Sequence, residues 1–239
     1  MKKNISLIVL LTVVMSAVCS CDSYLDRQPD DQLTSKNIFD KKTTTMRYLV
    51  NVYSYIPYEW SPEGSGDHSG IAITASDEAS CAYTGSRFFA LLNHNQLSPL
   101  STLTGYRYAV YRLLYQGISE ATYFMSKVAE CPQITPEEID MWRGEARFLR
   151  AFYYTELLKW NGPVIWTGDA LADFSDPNVS KVDRSPWSTI VDWLCSEYDT
   201  AASELPETRS PYEVGRATKG SALAMKARLL LFNASPLFN

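Results

Sequence analysis

The chain has 239 residues, of which 46% are hydrophobic, 21% charged and 13% aromatic. This length and composition suit one globular domain with a buried core, and they exclude collagen-like, low-complexity and disordered chains. The net charge of −5 indicates no nucleic-acid partner, because phosphate binding needs a basic surface. With two histidines and no Cys-x-x-Cys spacing, the sequence also predicts no metal site and no cofactor.

The N-terminus has the organisation of a bacterial lipoprotein signal. Lys2 and Lys3 precede an uncharged run over residues 5–18, which is too short to span about 30 Å of hydrocarbon. Cys21 follows a small residue and stands three residues after Val18, as in a lipobox, where a cysteine thiol is acylated. We therefore expect residues 1–20 to be a signal peptide and Cys21 to carry lipid. The alternatives are a plain secretory signal and an uncleaved anchor.

Removal of the signal leaves an acidic chain with an odd number of internal cysteines. Its 20 basic and 27 acidic residues give a net charge of −7. Cys81, Cys131 and Cys195 remain. They predict no disulfide framework, although one pair could form at an oxidising cell surface.

The rest of the chain predicts a tether followed by an all-α domain. Residues 21–40 are polar and interrupted by Pro29, which favours an extended tether. From residue 41 to residue 239 we expect one helical domain. Helical periodicity predicts helices over residues 43–56, 105–129, 136–160, 186–205 and 216–234. Residues 57–103 contain repeated glycine and proline without a helical period, which predicts a long loop.

The predicted helices form hairpins. Thr135, Pro136 and the acidic pair after them are typical of a helix start, and the short connection 131–135 predicts an antiparallel pair. Successive hairpins of this kind indicate an irregular tetratricopeptide-like stack, which is a scaffold for binding. In the last helix we expect small and aliphatic residues to face inward: Leu223, Ala227, Leu230, Leu231 and Ala234.

Four blocks of sequence resemble the SusD/RagB outer-membrane nutrient-binding lipoproteins. Residues 145–154 (EARFLRAFYY) with 160–164 (WNGPV) are similar to the central signature of that family. Residues 215–231 with 234–239 are close to its second block. Residues 73–79 resemble its early acidic motif, and residues 21–26 resemble its mature N-terminus.

The resemblance implies a lipid-anchored protein on the outer membrane that faces the extracellular side. It would sit as a lid on a SusC-like TonB-dependent barrel and capture an oligosaccharide or peptide for import. Family members continue for roughly another domain, so the resemblance implies that the C-terminal half of the family is absent here. Apolar helix faces that pack on that half would then be exposed. The alternative is a structural or adhesion lipoprotein that binds a protein through its helical repeats.

The long predicted loop carries the candidate ligand-binding residues. Sugar recognition uses aromatic faces for C–H groups and amides or charged groups for hydroxyls, and binding residues concentrate on loops. The candidates are Trp60, Asp67, Tyr83, Arg87, Phe88, Asn93 and Asn95. The alternative for each ring is core packing.

The charged residues of the family-like blocks do not predict an enzyme. Asp77 and Glu78 are neighbours, whereas glycoside hydrolysis needs two carboxylates across a cleft. We interpret them as capping or loop-tying groups. Glu145, Arg147 and Arg150 are interpreted as helix-surface charges or as ties between helices.

Overall fold

The computed structural model describes residues 37–57, 104–171 and 181–236, with side chains described from residue 110 onward in the second range. These residues form five α-helices: α1 (Lys42–Tyr53), α2 (Thr104–Lys127), α3 (Pro136–Asn161), α4 (Trp187–Glu204) and α5 (Lys219–Asn233). Single 3₁₀ turns occupy Ile38–Asp40, Val128–Glu130 and Pro211–Glu213. This part of the chain contains no strand, so the all-α prediction is confirmed.

The best-predicted helix start is that of α3. The Glu138 N–H donates to the Thr135 hydroxyl, and the Thr135 N–H donates to the Glu138 carboxylate. This reciprocal arrangement is a capping box, which satisfies two backbone donors at once. Thr218 and Ser221 form a second capping box at the start of α5. The predicted start near residue 216 is therefore slightly too early.

Consecutive helices from α2 to α5 pack as an antiparallel series, with α1 against α2 and α3. Contacts between opposite ends show the direction. Arg147 in the first half of α3 pairs with Glu204, the last residue of α4, and Trp187 at the start of α4 donates to Asn233 at the end of α5. The core between the helices is made of fully buried side chains: Leu114, Phe124, Leu149, Tyr153, Leu157, Ile190, Leu194 and Tyr198. This stacking confirms the tetratricopeptide-like hairpins.

A glycine allows α1, α2 and α3 to meet closely. A Cβ placed on Gly117 would lie 2.7 Å from the ring of Tyr153 and 2.9 Å from the Cβ of Tyr55. Both distances are shorter than side chains tolerate. The absent side chain therefore lets Tyr153 of α3 and the end of α1 reach the backbone of α2.

The compact part of the chain begins inside the segment predicted as tether. Phe39 is buried and is the first residue of a compact unit that includes α1 and α2. Its ring packs on Tyr48 of α1 and on Tyr123 and Phe124 of α2. An isolated aromatic residue in a polar stretch carries no periodicity, so the sequence pattern gave no sign of this anchor.

The inward face predicted for α5 is wrong. The buried residues of this helix are Ala222 and Leu229. The residues predicted to face inward are on the outside or at its edge, and Leu223, Leu230 and Leu231 are 46%, 43% and 76% exposed. Both sides of α5 are apolar, and periodicity shows which residues share a face but not which face is covered.

Candidate functional site

The candidate ligand-binding residues lie outside the described residues, as does Cys21. The seven candidates are Trp60, Asp67, Tyr83, Arg87, Phe88, Asn93 and Asn95. They belong to the segment 58–103, which joins the end of α1 to the start of α2. What the structure describes is the scaffold from which this segment departs.

The end of α1 is bonded to the core. The Tyr153 hydroxyl of α3 donates to the Val52 carbonyl at 2.5 Å. The Tyr53 hydroxyl donates to Glu145 Oε2 at 2.7 Å and accepts the Ala217 N–H at 2.9 Å. Burial and the Glu145 charge raise the pKa of Tyr53 far above its usual value, so the phenol remains a donor. The point where the candidate segment begins is therefore rigidly held.

Glu145 is the centre of a buried group of charges. Its side chain is fully buried, and Arg209 Nη2 lies 2.9 Å from Oε1. Arg216 Nε donates to Oε2 at 2.9 Å, and its Nη2 donates to Oε1. Burial alone would lower the pKa of Arg216, but its ion pairs raise the pKa instead. One carboxylate thereby fixes the connection between α4 and α5 to the middle of α3.

The two arginines of the central block form a second group of charges between α3 and α4. Arg147 pairs with Glu197 at 3.0 Å and with Glu204 at 2.9 Å. Arg150 is fully buried, and its Nε donates to Glu197 Oε2 at 3.1 Å. The interpretation of these residues as ties between helices is confirmed, and the interpretation as helix-surface charges is wrong.

Arg150 also fixes the loop that follows α3. Its Nη1 donates to the Gly168 carbonyl at 3.3 Å, and its Nη2 donates to Asp169 at 2.7 Å. The guanidinium carbon lies 5.2 Å from the ring centre of Trp193, which is within the range of a cation–π interaction. The loop therefore has a defined position relative to α3 and α4.

Half-buried aromatic side chains surround this loop. The Tyr115 hydroxyl donates to the Ile165 carbonyl at 2.8 Å, and the ring centres of Tyr111 and Tyr115 are 4.7 Å apart. On the other side, Trp166 packs on Trp193 at 5.7 Å. Within the described part of the chain, Trp166 Nε1 is buried and has no hydrogen-bond partner. We call the four aromatic residues Tyr111, Tyr115, Trp166 and Trp193 the loop aromatic cluster.

The loop aromatic cluster combines chemical groups that sugars can use. Asp169 is 82% exposed beside it and supplies a hydrogen-bond acceptor next to ring faces. Sequence reasoning did not single out Trp166 or Trp193, because their positions depend on contacts between residues that are distant in the sequence. Their partial exposure depends on how the loop folds back, and the only sequence signal was the three- and four-residue spacing of the tyrosines in α2.

Neither a metal site nor a membrane span is found among the described residues. In residues 37–57, 104–171 and 181–236, no three His, Cys, Asp or Glu side chains are placed to hold a metal ion. Over the same ranges, the helices are too short or too polar to cross a bilayer. Cys131 and Cys195 are both unpaired thiols.

Comparison with known proteins decides the family. A SusD-like family model, described as "Starch-binding associating with outer membrane", matches residues 23–231. The chain belongs to the SusD-like family. The resemblance of its sequence blocks is thus confirmed, and so is the expectation that it is not an enzyme, because the family is one of glycan-binding proteins.

Individual relatives are longer than this chain. SusD-like protein P38 of Formosa agariphila is 24% identical over 238 residues, which is 96% of this chain and 42% of that protein. A crystal structure of a SusD-like protein from Bacteroides fragilis matches with a TM-score of 0.67 and 25% identity, covering 87% of this chain and 38% of that one. The chain therefore spans less than half the length of these relatives.

Two further structures have the same fold. A laminarin binding SusD-like protein matches with a TM-score of 0.67 and 22% identity, over 82% of this chain and 41% of that one. Surface glycan-binding protein A from Bacteroides uniformis matches with a TM-score of 0.62 and 18% identity, over 81% of this chain and 42% of that one. At these identities the likeness concerns the helical scaffold.

Proposed function

We propose that this chain is the helical scaffold of a surface-exposed lipoprotein that captures an oligosaccharide at the outer membrane. The captured glycan would be delivered to a SusC-like TonB-dependent barrel for uptake. The observation that carries the proposal is the SusD-like family match over residues 23–231. The names of similar structures, among them a laminarin binding protein and a surface glycan-binding protein, support a carbohydrate ligand.

The described structure supports capture by the segment 58–103. The end of α1 that leads into this segment is held by buried hydrogen bonds from Tyr53 and Tyr153. A rigid scaffold that presents a long connecting segment is the usual arrangement for a binding site. We assign ligand contacts to the seven candidate residues of this segment, foremost Trp60 and Tyr83, whose rings would stack on sugar faces.

Calorimetric titration with two defined glycans tests the ligand. The probes are a maltooligosaccharide, as the family description suggests, and a laminarin oligosaccharide. We expect saturable binding of one probe and roughly tenfold weaker binding in Trp60→Ala and Tyr83→Ala, since a lost aromatic contact of about 1.4 kcal/mol corresponds to a factor of ten.

The matched control for these variants is Tyr212→Ala. Tyr212 is an aromatic residue that is 100% exposed, and it is not one of the candidates, so its removal should leave binding unchanged. Failure of both glycans to bind would refute oligosaccharide capture by this chain. Co-purification with a protein partner and no glycan response would favour the structural or adhesion lipoprotein.

The anchor is tested separately at Cys21. We expect Cys21→Ser to move the protein from the membrane fraction to the soluble fraction, because acyl chains contribute about 0.8 kcal/mol for each buried CH₂. Cys19→Ser is the matched control and should remain membrane-bound. Mass analysis of the N-terminal peptide would show the acyl chains, and an unmodified Cys21 in membrane-bound protein would refute lipidation there.

A further inference from the structure

The loop that follows α3 is held in place by side chains of two helices. The Tyr115 hydroxyl of α2 donates to the Ile165 carbonyl at 2.8 Å. The Thr167 N–H donates to the Tyr154 hydroxyl of α3 at 3.2 Å. The side chains of a loop that is bonded to rigid helices keep a defined position, which is what a binding site requires.

Asp169 of this loop is an exposed carboxylate that the buried charges do not need. Between α3 and α4, two arginines already face two glutamates: Arg147, Arg150, Glu197 and Glu204. Asp169 is a third carboxylate, 2.7 Å from Arg150 Nη2 and 82% exposed. Because the other charges balance without it, its bond to Arg150 serves to fix its position. A carboxylate that is fixed and open to solvent is a strong acceptor for hydroxyl groups.

Trp166 provides an indole whose presence packing alone does not explain. Its Nε1 is buried and has no hydrogen-bond partner among the described residues, although a buried indole N–H usually has one. An unbonded buried donor is destabilising, and phenylalanine has no such donor. At Gly168, where φ is 58°, a Cβ would lie 3.3 Å from Cζ2 of this indole. The glycine therefore leaves this edge of the ring without a covering side chain.

The charges around the loop indicate a neutral ligand. A cation on the Asp169 carboxylate would be repelled by the Arg150 guanidinium that is bonded to it. An anion would be repelled by Asp169 itself, and the chain has a net charge of −5. Aromatic rings beside an acceptor suit a neutral pyranose, because its C–H face packs on the rings and its hydroxyls donate to the carboxylate.

We propose that the loop aromatic cluster and Asp169 form a second sugar-binding site, which uses none of the seven candidate residues of the segment 58–103. The half-buried rings of Trp166 and Trp193 contact the C–H face of one neutral pyranose of a glycan, and Asp169 accepts hydrogen bonds from its hydroxyls. This assignment rests on the proposed function only in taking a glycan as the ligand.

NMR of the tryptophan indole N–H groups reports on both sites in one titration. The chain has six tryptophans, and one Trp→Phe variant for each assigns its signal. Trp60 reports on the segment 58–103, and Trp166 and Trp193 report on the loop aromatic cluster. Trp142 is 2% exposed and is the internal control. The probes are the maltooligosaccharide and the laminarin oligosaccharide.

We expect one glycan to shift the signals of Trp166 and Trp193 saturably and to leave the Trp142 signal unchanged. In Asp169→Asn, binding measured at these two signals should be roughly tenfold weaker, because hydrogen bonds to a charged acceptor are the strong ones. Asp169 is exposed, so this variant should fold. Its matched control is Asp140→Asn, which removes another exposed carboxylate that pairs with an arginine and should bind as the native chain does.

The outcomes separate this site from the proposed function. A shift at Trp60 with unchanged signals of Trp166 and Trp193 would overturn the second site and leave the proposed function standing. Equal binding by Asp169→Asn and Asp140→Asn would also overturn the second site. Shifts at Trp166 and Trp193 without a shift at Trp60 would support it and contradict the ligand contacts assigned to the segment 58–103. No shift with either glycan would overturn both.

Discussion

Replacement of Glu145 by glutamine should destabilise the chain strongly. The carboxylate is fully buried and is the partner of Arg209 and Arg216, whose side chains are 5% and 17% exposed. Glutamine keeps nearly the same shape and removes the charge. Arg209 then loses its counter-ion, and Arg216 retains only the partly exposed Glu213, in a place that water hardly reaches. Breaking a buried pair from one side costs about 3–5 kcal/mol. We expect a loss of that size.

Urea unfolding followed by circular dichroism measures this loss. With a slope of about 2 kcal/mol/M, a loss of 4 kcal/mol lowers the midpoint by roughly 2 M. The matched control is Asp140→Asn, which removes the carboxylate of an exposed pair with Arg143 on the same helix. It should change stability by less than about 0.5 kcal/mol.

Hydrogen exchange shows which part of the chain is destabilised. The Ala217 N–H is bonded to Tyr53, which is itself bonded to Glu145. In Glu145→Gln, the exchange rates of backbone amides should rise more in the connection between α4 and α5 than in the middle of α3. A midpoint shift no larger than that of Asp140→Asn would show that the buried charges do not hold this connection.

Three more predictions concern the scaffold. Gly117→Ala should cost about 1–3 kcal/mol, since its Cβ would meet the ring of Tyr153. Gly220→Ala, with no atom nearer than 3.7 Å to its Cβ, should be neutral or stabilising; equal thermal melts for the two would contradict the close packing. Thr135→Ala should cost about 1 kcal/mol through loss of the capping box, and an unchanged urea midpoint would refute that role. Burial raises the pKa of Tyr153 and Tyr198 above the usual 10.0. Stability should therefore fall as pH rises above about 10, because the unfolded state loses these protons first; a urea midpoint that stays constant from about pH 9 to about pH 11 would contradict it.

The sequence predicted the helices because local signals mark them. The capping residues Thr135 and Pro136 identify the start of α3, and the predicted bounds of all five helices lie within about three residues of those described. Two of the short blocks that indicated the family, 145–154 and 215–231, contain side chains that connect helices, among them Glu145, Arg150 and Arg216. Helical periodicity and the family-like blocks predict the same helices, because the same residues form each helix and its contacts with the neighbouring helices.

The predictions that were wrong concern contacts between residues that are far apart in the sequence. Charged side chains are usually exposed, so a pattern alone does not reveal that Arg150 is buried against Glu197, 47 positions away. The uncovered face of α5 was missed for the same reason. The ligand contacts of the segment 58–103 and the lipid on Cys21 remain predictions.

Binding of a fluorescent oligosaccharide to intact cells tests the central claim most directly. The probe is the maltooligosaccharide or laminarin oligosaccharide that binds in the titration, and the cells express the native protein or its Cys21→Ser variant. The account predicts saturable fluorescence on cells with the native protein and background fluorescence with the variant. Equal fluorescence on both, or none on either, would contradict capture of a glycan by a lipid-anchored protein at the cell surface.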